Sequence, residues 1–446
     1  MYHRAMLLSL AVENYRSFGK EAVLDMQRRS FKTLRPRKGE SWTENTWRRA
    51  GIFGPNASGK SNILLPLSLL RTAIIHSLTS EAHVRRLRDP HMLQQASPTR
   101  FDVEYVANDV RYRWILVVDN GGVVSESLDA NERGRFSSIF NRERNEITFG
   151  QRAGLHQAAK ENIEQFLRSW SLVFSAWATV KNPGRHAAAI DWWGRMLPLI
   201  TGENDRHNGH QWLIELAHRD PHWLGVVKTV IRVADVGVRD VGIEEAEVPP
   251  EVRRIQELLQ GGGDSRDAEV VKADDIIEYL QYLRFEHHGC DQSFYLDEAD
   301  ESLGTRTWLD LAVPALFALA VGGVLAIDEI DSSLHPLLVR ELVSYFDNSD
   351  LNPLGAQLLF GSHDTSLIGR HPQAALHHGE VWFATKSESR SELVALDEFA
   401  VREAHNVEKR YLQGVYGAVP IPGSSELVEA LAALRRKYGT SEARGQ

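Results

Sequence analysis

Residues 51–62 read GIFGPNASGKSN, and few short stretches restrict a fold so much. Gly54, Gly59, Lys60 and Ser61 satisfy the spacing G-x-x-x-x-G-K-S/T. Glycines there let successive backbone N–H groups turn inward as an anion nest, the lysine reaches terminal phosphates, and the hydroxyl ligates Mg²⁺. The flanks suit the loop. RRAGIF before it reads as a short strand, and KSNILLPLSLLRTAIIHSL after it has helical apolar spacing. The loop therefore joins a strand to a helix N-terminus, where free N–H groups favour phosphate. Asn56, Ala57, Ser58 and Asn62 complete the candidate nucleotide-binding set. A chance glycine-rich turn would lack both flanks.

Three later segments supply partners. In GGVLAIDEIDSSLHPLL, apolar Val324–Ile327 delivers Asp328 and Glu329 to the end of a buried strand, where ligands gather in open α/β sheets. Asp328 suits the Mg²⁺ shell, and Glu329 suits a base that orients and deprotonates water beside a γ-phosphate. Taken alone, the pair would be an ordinary strand and acidic turn. In GAQLLFGSHDTSLIG a second strand ends at Ser362, and His363 is placed to touch a γ-phosphate and sense its loss. In DESLGTRTWLDL, Ser302, Gly304 and Thr305 open a helix. They can cap that helix, form a second anion site, or do both.

A chain of 446 residues exceeds one compact core, so several domains or a large insertion are expected. Its net charge of −9 argues against a constitutive nucleic-acid binder. Cys290 is the single cysteine, which excludes an intrachain disulfide and fits the reducing cytoplasm, the expected location. The most apolar run, LAVPALFALAVGGVLAI, holds Pro314 and two glycines before charged DEID. It reads as a buried helix followed by a buried strand, not a membrane span.

The order of P-loop, serine–glycine helix start, apolar-D-E and post-strand histidine resembles the ABC-type ATPase heads of the SMC, RecF and OLD group. VENYRSF near the start is also typical of it. More specifically, DEIDSSLHPLL, SHDTSLI, RVADVGVRDVGIEE and EKRYLQGVYGAVP resemble the RloA/AriA-like ATPases of bacterial anti-phage and abortive-infection loci, from about Leu7 to Pro422. The resemblance implies an α/β P-loop head, a mixed sheet flanked by helices, with an antiparallel β-lobe and a helical insertion. It implies ATP and Mg²⁺ as cofactors, Mg²⁺ being held by Ser61 and Asp328. Glu329 and His363 would be catalytic, and Arg16 and Ser17 would lie near the phosphates. In that group a nucleotide is sandwiched between two heads, so Ser302, Gly304 and Thr305 would serve the partner's γ-phosphate.

The chain also departs from the pattern. Its signature is SLGTRT where transporters carry L-S-G-G-Q/E, and His335 stands where many relatives place an aspartate. Gln94 and Gln95 both remain open as the Q-loop residue. ATP binding is unaffected by these changes, and slow turnover is expected. No D-x-D follows His363, so Toprim-type nuclease chemistry is not expected. Met6 would be the natural start for that family.

Residues 1–154 are expected to hold the P-loop and β-lobe, 155–285 a helical insertion, and 286–446 the signature, acidic strand and His switch. Residues 99–150 alternate apolar and polar, with turn signals at Asn108-Asp109 and Asn120-Gly121-Gly122. Residues 258–275 look like a glycine-rich linker, and the six tryptophans between Trp170 and Trp223 should be mostly core. His287, His288 and Cys290 lack a second cluster for a metal site. The basic run HVRRLRDP reads as a solvated helix face, and ATKSES departs from a guanine reader at Glu388.

The leading reading is an ATP-driven homodimer, with higher assembly open, that senses a phage trigger protein and controls a separately encoded effector or toxin. The alternative is a RecF/SMC-like DNA-binding repair ATPase. Nucleic acid is thus a disfavoured partner, and no membrane is expected.

Overall fold

The computed structural model describes residues 5–197, 199–200, 203–234, 237–247, 279–289, 292–370, 374–400, 405–419 and 424–438. The expected linker at 258–275 and Cys290 lie outside them.

The chain opens with β1 (Ala5–Glu13) and β2 (Ala22–Asp25), then enters the P-loop strand β3 (Arg49–Phe53). Strands β4 (Thr99–Ala107), β5 (Val110–Asp119), β6 (Gly122–Asn131), β7 (Phe136–Glu143) and β8 (Glu146–Phe149) follow as a meander. The two-residue turn between β4 and β5 is Asn108-Asp109, with φ of 50° and 61°. Left-handed torsions at both centres match the right-handed twist of the strands, which is why Asn and Asp serve there. With β1 and β2 these strands form a seven-stranded antiparallel sheet, ordered β2-β1-β4-β5-β6-β7-β8.

Helices Gln157–Phe166, Val173–Ala178, Ala188–Gly194, Glu203–Arg219 and Pro221–Val233 come next. Trp177, Trp192 and Trp193 are buried against the β-lobe, Trp192 stacking on Tyr105 with centroids 4.4 Å apart. The helical expectation through 285 needs correction. The chain turns to β9 (Val238–Glu247) and β10 (Tyr279–His288), which pair with β11 (Ser293–Asp297) in a three-stranded antiparallel sheet. The sheet forms because Val238, Val241, Leu283 and Phe285 can bury against Val227, Val230 and Ile231 of the preceding helix. A limit at 285/286 would cut β10.

The Leu303–Val321 helix ends at Gly322, left-handed at φ 66°, and leads into β12 (Val324–Ile327). After the Pro336–Tyr345 helix come β13 (Gln357–Ser362), β14 (Val381–Ser387) and β15 (Arg390–Ala395). The second large sheet is ordered β12-β13-β3-β14-β15, parallel except for the last pair. Parallel strands covered on both faces read as apolar runs, and β12 and β13 are buried throughout. These layers match the expected α/β P-loop head with an antiparallel lobe and a helical insertion. No described helix is long and apolar enough to cross a membrane.

One side chain stitches the sheets together. Gln357, fully buried at the start of β13, accepts from Leu7 N at 2.6 Å and donates to Leu7 O and Trp47 O, both at 3.0 Å. A buried amide whose polar atoms are all bonded holds two elements in one register.

Candidate active site

The loop after β3 curls through left-handed torsions at Gly54 (φ 159°), Ala57 (φ 60°) and Gly59 (φ 111°), and the Lys60–His76 helix starts immediately. Both glycines are sterically fixed. A Cβ on Gly54 would stand 2.3 Å from Ala384 O, and one on Gly59 would stand 2.8 Å from Ser391 Oγ and 3.0 Å from Ser17 Oγ. The β14–β15 hairpin and the turn after β1 therefore back the loop. Lys60 is buried, and its Nζ donates to Gly54 O at 2.8 Å and Pro55 O at 3.1 Å. Burial lowers its pKa, while the nearby carboxylates of Asp328, Glu329 and Asp331 pull the other way. The P-loop cation and the acids after β12 thus share one field.

Strand order explains the meeting. β13 lies between β3 and β12, so the loops after all three emerge at one edge. Asp328 is buried, its backbone N–H bonded to Ile200 O at 2.8 Å, and its Oδ1 accepts from Glu329 N at 3.1 Å. Gly361 makes room for it, since a Cβ there would lie 2.5 Å from Asp328 Oδ1. Glu329 is exposed and left-handed at φ 51°, a strained torsion for glutamate and a common mark of working sites. His363 is exposed at the end of β13, and its backbone N–H is held by both oxygens of Asp331.

The turn after β1 reaches the same place. Asn62 Nδ2 donates to Ser17 Oγ at 2.8 Å, and Arg16 bonds Asn62 Oδ1 at 3.3 Å and Asp89 Oδ2 at 2.9 Å. The Arg16–Asp89 pair is solvent-exposed, so breaking it costs about 0–1 kcal/mol. Ser302, Gly304 and Thr305 form a separate cluster. Ser302 caps the Leu303–Val321 helix by accepting Thr305 N at 3.1 Å, and the nearest neighbours of a Gly304 Cβ are Ser333 O at 3.5 Å and Ser302 Oγ at 3.8 Å.

The residues present fit a nucleotide with Mg²⁺. Two glycines that cannot carry a Cβ shape the nest, and the hydroxyl of Ser61 and the carboxylate of Asp328 are hard oxygen donors of the kind Mg²⁺ takes.

A protein-family model described as "AAA domain, putative AbiEii toxin, Type IV TA system" matches residues 49–185 and 230–369. The chain belongs to this family. No curated protein matches it. Among solved structures, an SMC head bound to the C-winged helix domain of ScpA is 13% identical, covering 91% of this chain and 99% of that one at a TM-score of 0.41. The SMC head domain from Thermotoga maritima is 13% identical, covering 87% and 98% at 0.34. A Pyrococcus furiosus Smc head with an extended coiled coil, bound to the C-terminal domain of ScpA, is 12% identical, covering 88% and 97% at 0.36.

In this AAA-domain chain, several residues outside the motifs shape the site. Asn14, buried, donates to Gln94 O, Ser97 O and Pro98 O and accepts from His91 N, tying the Gln94 loop to β1. Gln94 Oε1 lies 3.5 Å from where a Gly19 Cβ would sit, while the Gln95 amide reaches only Met92 Sδ at 3.8 Å. The HVRRLRDP run does expose Arg85 and Arg86 at the end of the short helix Ala82–Arg85, and just beyond that helix Asp89 holds Arg16 while Arg88 bonds Asn120 and Thr99. His335 caps the Pro336–Tyr345 helix through Leu337 N. Among the described residues no group of His, Cys, Asp and Glu could hold a further metal, and His287 pairs with Glu301. Asp331 and Gly361 carry no signal in a single sequence, because their roles arise only when β12 and β13 pair.

Proposed function

We propose that this protein is an ATP-hydrolysing head that closes on a second copy around ATP and Mg²⁺. We further propose that the closed state governs a separately encoded effector or toxin in anti-phage defence, as RloA/AriA-like ATPases would. The observation carrying the ATPase reading is the buried Lys60 ammonium in the field of Asp328, Glu329 and Asp331, from strand ends that flank β13 on either side. The defence reading is supported by a family description that names a toxin–antitoxin system.

The backbone of Asn56, Ala57, Ser58 and Gly59 would cradle the phosphates, Lys60 would neutralise the β- and γ-groups, and Asn62 would brace Ser17 and Arg16. Bound Mg²⁺, held by Ser61 and Asp328, would offset charge developing on the transferred phosphoryl group. Glu329 would take the proton of the attacking water, and His363 would contact the γ-phosphate. The second head would bring Ser302, Gly304 and Thr305. Hydrolysis removes contacts that exist only with the γ-phosphate, so the closed pair lasts as long as that group does.

The test is native mass by light scattering and mass spectrometry after co-expression with the neighbouring open reading frame, for the parent and Glu329→Gln, with and without ATP. A second polypeptide bound to an ATP-stabilised pair of heads is expected. A pair carrying nucleic acid and no protein partner would overturn the effector reading in favour of a DNA clamp. Unchanged hydrolysis in Glu329→Gln would remove that residue as base.

A further inference from the structure

The three-stranded sheet stops where the helix bearing Ser302 begins, and a row of side chains joins them. His287 in β10 is nearly buried, with its Nε2 2.7 Å from Glu301 Oε2. The other carboxylate oxygen, Oε1, accepts the backbone N–H of Ser302 at 2.7 Å. On its other side the His287 ring stacks on Phe294 of β11, with centroids 5.2 Å and planes 11° apart. Phe294 is 45% exposed, whereas Glu301 is 8% exposed.

Glu301 is not needed to cap the helix, because Ser302 Oγ already accepts Thr305 N. A carboxylate withdrawn from water is costly unless its oxygens are bonded, and here each oxygen has its own partner. One partner is the backbone of the residue that would face the other head's phosphate. Such an arrangement fixes the peptide between residues 301 and 302 and so places the backbone of Ser302, whose hydroxyl is turned to Thr305 N and Thr305 Oγ1.

We infer that Glu301, oriented by His287, is a positioning residue that sets Ser302 for the nucleotide of a second head. This inference rests on the two-head reading above. A group misplaced by about 1 Å can cost about a hundredfold in rate, so a residue that touches no nucleotide can still govern turnover.

The test mixes separately purified full-length variants. Glu301→Ala should lower kcat at least about tenfold, while ATP affinity of the single head stays within about twofold of the parent. Lys60→Ala should be inactive. In a pair made of one of each, one site carries both lesions and the other carries neither. Mixing should therefore restore roughly a quarter of the parental rate, since half the pairs are mixed and each has one intact site. Ser302→Ala mixed with Lys60→Ala is the control. Recovery in the control but not with Glu301→Ala would overturn the inference and leave the two-head reading standing. Failure of the control would overturn the two-head reading itself. Glu301→Gln, whose amide oxygen still accepts from Ser302 N, should stay within about threefold of the parent, and a loss equal to that of alanine would overturn the role. Should Glu301→Ala fail to fold, His287→Gln in the same mixture carries the test.

Discussion

Asp331 accepts the backbone N–H of His363 on both carboxylate oxygens, at 3.1 and 3.2 Å. Ile330 N adds a bond to Gly361 O at 3.1 Å, so the loop after β12 and the end of β13 move together. Asp331→Ala should free His363 while leaving the Lys60 hydrogen bonds to Gly54 O and Pro55 O in place. The expected result is a kcat about tenfold lower, with ATP affinity changed less than about threefold. Steady-state phosphate release and a nucleotide titration measure the two quantities. A loss confined to affinity would show that Asp331 serves binding alone.

Gly361→Ala tests the notch beside Asp328. An added methyl would press on Oδ1 from 2.5 Å, with Glu329 N 3.7 Å away on the same side. Disturbing the groups that orient a metal ligand typically costs 10- to 100-fold in metal affinity or activity, so the Mg²⁺ needed for half-maximal activity should rise about tenfold or more. A Mg²⁺ titration at saturating ATP reads this directly, and an unchanged midpoint would remove Asp328 from the metal shell.

Much of the site is visible in the sequence because its chemistry is tied to local patterns. The glycine loop, the apolar runs ending at Asp328 and at Ser362, and the Asn108-Asp109 turn are each set by neighbours a few residues away. What the sequence hides is set by pairing at long range. Asn14, Asp89, Asp331 and Gly361 are ordinary residues until β1, β3, β12 and β13 are brought together. The strand β9 was obscured for a different reason: its alternation is weak, and its partner β10 lies beyond a long intervening segment.

Asn62 and Ser17 should be energetically coupled. Their hydrogen bond at 2.8 Å links the first turn of the P-loop helix to the turn after β1. A double-mutant cycle on ATP affinity with Asn62→Ala and Ser17→Ala should give a coupling of about 1 kcal/mol. Additive losses would mean that the two residues act independently on the nucleotide.

Stability should depend on pH through His186. Burial is the largest influence on it and lowers its pKa, and it is hydrogen-bonded to Tyr112 Oη at 3.0 Å and paired with Arg152 O at 3.1 Å. Below about pH 6.5 the unfolded chain takes up a proton there that the folded chain refuses, so acid favours unfolding. The stabilisation is present above that pH and is lost as pH falls toward the folded value. Thermal melts of the parent and His186→Asn from pH 7.5 to 5.5 should converge as pH drops. Parallel curves would show that His186 titrates alike in both states.

Gln357 gives the head a mechanical property beyond its stability. With both backbone polar groups of Leu7 in β1 pinned to the start of β13, the two large sheets cannot slip along one another without breaking two buried hydrogen bonds at once. Force arriving at Arg16 from one sheet or at His363 from the other is therefore carried by a stiff frame. Such a frame would pass a displacement at one sheet on to the other rather than absorb it.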